Sequence, residues 1–142
     1  MTTPPSLVEG GCLCGAVRYR VHGAPLSSSV CHCRACRLAA GASPVGWIAV
    51  ARSGYELLAG HPARFRSSPR VWRSFCPRCG TALGYQHDDD PGVIEVTTAT
   101  LDHPEAFPPT REIWLDHRVA WTPVNAALPH YPRGSDDSLP ET

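Results

Sequence analysis

Apolar and polar residues alternate along this chain in short runs. Ala16-Val17-Arg18-Tyr19-Arg20-Val21 alternates in part. Arg64-Phe65-Arg66 and Val71-Trp72-Arg73-Ser74-Phe75 alternate again across a Ser-Ser-Pro turn. A period of two predicts strands with one wetted face. Val45 to Val50 is nearly all apolar and reads as a buried strand, and Tyr55-Glu56-Leu57-Leu58 as a short one closed by Gly60 and Pro62. Thr81 to Tyr85 and Val93 to Thr100 flank the turn signal Asp88-Asp89-Asp90-Pro91-Gly92, which reads as solvated. Glu112 to Leu115 and Arg118 to Trp121 are the last expected strands. Gly23-Ala24-Pro25 with Ser27, Ser28 and Ser29 reads as a turn, and Arg37 to Gly41 as one or two helical turns ending at the glycine. The sum is eight to ten short strands, little helix and no solenoid repeat, with Trp47, Trp72, Trp114 and Trp121 expected in the core. The expected organisation is a loose leader (1–7), one domain (8–131) and a frayed tail (132–142), the fraying beginning near Leu128.

Charge narrows the function classes. Thirteen acidic residues face thirteen basic ones, all arginine, in 142 residues, so the formal net charge is zero. Nucleic acid or an anionic membrane as main partner would call for a basic excess. No apolar run reaches the roughly 18–20 residues of a membrane span. Met1 to Gly11 lacks the basic start and apolar centre of an export signal, so a cytoplasmic, reducing location is expected. The oligomeric state is not set by any of these features.

The seven cysteines change the picture most. The number is odd, which a closed disulfide framework would not accommodate, and the residues cluster as Cys12-x-Cys14, Cys31-x-Cys33-x-x-Cys36 and Cys76-x-x-Cys79-Gly80. Cys76 and Cys79 form a zinc knuckle: one tight turn presents two sulfurs, and Gly80 leaves the backbone free to follow. Structural zinc takes four ligands, and Cys12 and Cys14 are the best donors of the other two. Side chains at i and i+2 of an extended chain point the same way. Buried free thiols, packed as small hydrophobes, are the alternative.

Cys31, Cys33 and Cys36 then remain. Three protein ligands and one open position is the pattern of a catalytic zinc. Three thiolates make that ion electron-rich, a poor activator of water and a good holder of a fourth thiolate. The expected chemistry is therefore at sulfur: a metal-held thiolate attacking a small electrophilic carbon, or the reverse. Competing readings close the site with His32, although an extended chain would turn it to the opposite face, or with His61, His87 or His103, or replace zinc by an iron–sulfur cluster. His32 is also a candidate acid–base group if the chain bends there.

In this order the three motifs resemble the glutathione-dependent formaldehyde-activating enzyme (GFA) or centromere protein V-like family. The resemblance rests on Gly11-Cys12-Leu13-Cys14-Gly15-Ala16-Val17-Arg18-Tyr19, on Cys31-His32-Cys33-Arg34-Ala35-Cys36 and on Arg73-Ser74-Phe75-Cys76-Pro77-Arg78-Cys79-Gly80-Thr81. It continues more weakly through Asp102-His103-Pro104, Phe107-Pro108-Pro109, Trp114, Trp121 and Pro129-x-Tyr131, covering roughly residues 8 to 131. It implies a mostly β fold of the β-tent type, with folded-over sheets. It also implies a structural zinc on Cys12, Cys14, Cys76 and Cys79 and a labile, catalytic zinc on Cys31, Cys33 and Cys36. The implied activity is that of a carbon–sulfur lyase, with glutathione or another thiol as candidate co-substrate and formaldehyde as candidate electrophile. Glutathione carries two carboxylates and one ammonium, so basic groups are expected near the three-cysteine site. Arg34, Arg37 and Arg73 are the candidates, with Trp47 as a pocket wall, and Arg64, Arg66 and Arg70 are further arginines the fold could bring near. The rival reading, from another class, is a non-catalytic zinc-stabilised β-tent module that binds protein.

Overall fold

The computed structural model describes residues 7–134. Residues 1–6 of the expected leader and 135–142 of the expected tail lie outside the described residues. The strands are β1 (Leu7–Gly11), β2 (Arg18–His22), β3 (Ser27–Cys31), β4 (Val45–Ala51), β5 (Tyr55–Ala59), β6 (Ala63–Ser68), β7 (Val71–Phe75), β8 (Ala82–His87), β9 (Val93–Thr97) and β10 (Glu112–Ile113). One α-helix, α1 (Arg34–Ala40), lies between β3 and β4. The mostly β class expected from the alternation holds. A three-stranded sheet has the order β1-β2-β5, and a seven-stranded sheet the order β10-β3-β4-β9-β8-β7-β6. All pairings are antiparallel except β10 against β3.

β4 explains how the molecule separates a core from a site. Successive strand side chains point to opposite faces, and β4 is buried on both. Ile48 and Val50 join Ile94, Val96, Leu83, Val17, Tyr19 and Val21 in the main core, between the large sheet and residues of the small one. Trp47 points the other way and packs with Cys31, Cys33, Cys36, Val45 and Trp114 in a second apolar cluster. The register carries that second face across the sheet. Cys31 pairs with Val45, Trp47 with Thr97, Glu95 with Tyr85, Tyr85 with Arg73, and Arg73 with Phe65.

Several local expectations are corrected. Ser27, Ser28 and Ser29 form the body of β3 rather than a turn. The ladder to β4 and hydrogen bonds from Ser28 Oγ to the Phe107 and Pro108 carbonyls, 3.3 and 3.1 Å, outweigh the serines' preference for turns. β10 is only two residues long, and Leu115–His117 is a 3₁₀ turn. Arg118–Trp121 is not a strand, and Trp121 is 81% exposed, so it lies outside the core. Trp72 is half-buried with the Arg64 and Arg66 guanidiniums 4.2 and 4.1 Å from its ring centre. Chain beyond Leu128 is tied down as far as Arg133. Main-chain bonds link Pro129, Tyr131, Pro132 and Arg133 to Glu112, Leu115, Asp116 and Trp114.

Candidate functional site

The loop after β1 and the knuckle between β7 and β8 bring four sulfurs together. Those of Cys12, Cys14, Cys76 and Cys79 all lie within 4.8 Å of one another. Two separations are 3.6 Å (Cys12–Cys14) and 3.8 Å (Cys14–Cys76). A disulfide is about 2.05 Å long. Sulfurs placed tetrahedrally about 2.3 Å from one zinc ion stand about 3.8 Å apart. The spacing fits a metal tetrahedron, and four thiols are a donor set that could hold one metal ion.

The local chain explains the convergence. Gly80 has φ +80°, a left-handed conformation that side chains resist, and its N–H bonds to the Cys76 carbonyl at 2.8 Å, closing the knuckle. The main-chain N–H groups of Arg78 and Cys79 both point at Cys76 Sγ, 3.4 Å away, and that of Val17 at Cys12 Sγ, 3.3 Å. Thr81 fastens the two segments: its hydroxyl accepts from the Leu13 N–H at 3.1 Å and lies 3.2 Å from Cys79 Sγ. That hydroxyl contact lowers the Cys79 thiol to about 5, favouring the thiolate that binds metal.

The second cluster belongs to one stretch of chain. β3 ends at Cys31, and α1 begins just past Cys33, whose sulfur caps the helix by accepting from the Cys36 N–H at 3.2 Å. The helix stops at Gly41, with φ 65° and its N–H bonded to the Arg37 carbonyl at 2.8 Å. Cys31, Cys33 and Cys36 are buried, with sulfurs within 4.8 Å of one another. No fourth His, Cys, Asp or Glu among the described residues joins them. Hydrogen bonding with Cys31 and Cys36 holds the Cys33 thiol well below its ordinary value, and the contact with Cys33 pushes Cys31 far up. A metal ion bound here would hold all three thiols deprotonated.

His32 is turned away from the sulfurs, as the extended chain predicts. It is fully buried and donates from Nε2 to Glu112 Oε1 on β10, 2.7 Å away. The other oxygen of that carboxylate accepts from the Asn125 N–H and has His130 Nε2 at 3.3 Å. Glu112 escaped sequence reasoning, because nothing in a two-residue strand 80 positions away marks it as the partner of His32. Trp114 is buried, as expected of a core tryptophan, but its neighbours were not foreseen. Its left-handed backbone, φ 61°, seats the indole against the three-cysteine cluster.

A cleft of about 510 Å³ runs beside this cluster. Cys36, Trp47, Arg34 and Arg73 are in its walls, and Arg37 is not among the lining residues. Arg73 is nearly buried. Its Nη1 lies 3.5 Å from Cys36 Sγ, its Nε donates to Ser67 Oγ at 3.0 Å, and its guanidinium sits 5.1 Å from the centre of the Tyr85 ring. Ser67 can reach it because the β6–β7 register shifts between Arg66 and Ser68. Among the outlying arginines, Arg66 pairs with Asp88 and Arg70 with Asp89, at 2.9 and 2.7 Å on the surface.

Fold and site define a class: a two-sheet β protein with a four-thiol cluster joining its sheets and a three-thiol cluster opening on a cleft, both able to hold metal. The chain belongs to the glutathione-dependent formaldehyde-activating enzyme family, whose sequence model matches residues 7–117. It is 32% identical over 133 residues to a putative glutathione-dependent formaldehyde-activating enzyme of Halomonas elongata, a match that covers 84% of this chain and 82% of that one. Its fold resembles the crystal structure of a Rhodobacter sphaeroides protein, with TM-score 0.56 and 25% identity over 66% of this chain and 87% of that one. No helix among the described residues is long and apolar enough to cross a membrane.

Proposed function

We propose that this protein is a zinc-dependent carbon–sulfur lyase that adds a thiol to, or releases it from, a small carbonyl carbon such as that of formaldehyde. Zinc at Cys12, Cys14, Cys76 and Cys79 is structural, and zinc at Cys31, Cys33 and Cys36 is catalytic. Family membership supports a glutathione-related reaction. The observation that carries the assignment is the donor count: three sulfurs meet, with Cys36 in the wall of a cleft and no fourth protein ligand beside them among the described residues.

Zinc bound there would keep an incoming thiol deprotonated near neutral pH. The chain's own residues do the rest. Arg73 sets a fixed positive charge beside Cys36, offsetting the excess negative charge of three thiolates. Trp47 and the α1 wall exclude water from one side of the cleft and orient the partners. In the addition, a sulfur electron pair forms the S–C bond, the carbonyl π pair moves to oxygen, and the thiol's proton reaches that oxygen through solvent. A thiol and an aldehyde give a hemithioacetal, and no oxidant or reductant is needed. The chemistry requires reduced cysteines and hence a reducing compartment such as the cytoplasm.

The test is to load the protein with zinc and follow loss of free thiol in mixtures of formaldehyde with glutathione or another thiol. The expected result is acceleration that Cys36→Ser abolishes. Equal rates for both proteins, or none above the uncatalysed reaction with any pair, would reject the lyase and favour a metal-stabilised binding module.

A further inference from the structure

Resting on the lyase reading, we propose that the cleft selects a thiol with an apolar body and a single carboxylate over glutathione. Glutathione brings two carboxylates and an ammonium. The cleft lining holds two charged side chains, Arg34 and Arg73, and no Asp or Glu. Arg73 is already engaged, bonded to Ser67 Oγ and set against Cys36 Sγ and the Tyr85 ring. It is 7% exposed, held on three sides, and its charge is matched to the thiolates.

Arg34 is the cation left over. Its side chain makes no hydrogen bond or ion pair among the described residues, and its place directly after Cys33 at the start of α1 sets it close to the sulfurs in the chain. It suits one carboxylate. A second carboxylate would find no further free cation in the lining and an ammonium no carboxylate, and charges that lose water without an opposite charge are penalised. The remaining wall is mostly apolar. Leu38 on α1 and Phe65 on β6 both line the cleft yet are 56% and 62% exposed, so a ligand body laid against them removes apolar surface from water. Trp47 supplies a buried aromatic wall beside Cys36. A volume of about 510 Å³ admits an aromatic thiol with room for a small aldehyde.

Thiol binding is read without turnover by putting cobalt(II) in the metal centres and titrating thiols against its sulfur charge-transfer absorption. The probes are 4-(mercaptomethyl)benzoate, its methyl ester, glutathione and 2-mercaptoethanol. The benzoate is expected to bind at least ~10-fold more tightly than glutathione, a difference of one decade in affinity. Arg34→Gln should erase its advantage over the ester. Phe65→Ser, at an exposed position, should weaken benzoate and ester alike and leave 2-mercaptoethanol unchanged. Glutathione binding as tightly as the benzoate, or an acid-to-ester ratio untouched by Arg34→Gln, overturns the selectivity while leaving the lyase reading standing. A spectrum that no thiol perturbs takes down both.

Discussion

The four sulfurs of Cys12, Cys14, Cys76 and Cys79 come from two segments that leave strands of different sheets, β1 in the small sheet and β7 in the large one. Those of Cys31, Cys33 and Cys36 come from one run that ends β3 and opens α1. The donor atom is the same, but the consequences for the chain are opposite. A clip between Cys14 and Cys76 closes a loop with a sequence separation of 62. By the entropy relation for cross-links that is worth about 4 kcal/mol before any bond energy is counted. A clip among Cys31, Cys33 and Cys36 closes loops with sequence separations of two to five, which the helix cap and β3 already hold. A metal held by the first cluster would therefore stabilise the fold, whereas one held by the second could leave, or exchange a fourth ligand, at little cost to the fold.

The largest effect that could break this contrast is expected at Cys76, which is fully buried and receives two main-chain N–H groups. Cys76→Ser should cost about 4 kcal/mol or more, most of the stability of a small domain, and should appear as a collapsed circular-dichroism melt with loss of metal. A variant that melts like the parent would remove the structural role. Next is Cys36→Ser. Thiol addition should fall at least ~100-fold while the melt shifts by only a few degrees, since one sulfur replaced by oxygen leaves packing nearly intact.

A smaller effect is expected at Arg73. Replacing it by Gln should weaken metal binding at the three-cysteine centre about 10-fold in chelator competition, as removal of groups supporting metal ligands does elsewhere. Arg73→Lys should recover part of the loss, because the charge returns without the fork that also holds Ser67. The smallest effect concerns Glu95, which pairs with Tyr85 on the face that carries Arg73. Burial raises its carboxyl to about 7, helped by Cys36 and opposed by Arg73 and Arg111. The folded chain thus keeps a proton that the unfolded chain releases near its ordinary 4.5. Stability falls as pH rises from that value to about 7. Glu95→Gln should flatten this slope and gain about 1 kcal/mol relative to the parent above pH ~7, measured by urea unfolding across pH.

Much of the fold was readable because alternation fixes a strand whatever its partners, as for β7, which spans the expected Val71–Phe75. The failures share a cause. β3 was hidden because its serines gain their hydrogen bonds from β4 and from the Phe107–Thr110 segment, some 80 residues away. Trp121 was misplaced because the resemblance and its apolar side chain say nothing about a turn that leaves it in water. At the site, short spacing made both cysteine groupings visible, and Gly80 and Gly41 punctuated them. The third dimension decided what spacing cannot: that Arg73 turns to Cys36, that Arg37 stays out of the cleft wall, and that His32 faces Glu112.

The central claim is that the two clusters hold metal with different jobs. It is tested most directly by loading the protein with zinc and adding a chromophoric chelator while recording released metal and circular dichroism together. The account predicts two ions per chain, the first leaving with the β signal unchanged and the second only as that signal collapses. A single ion per chain, or two that leave together with the fold, would contradict it.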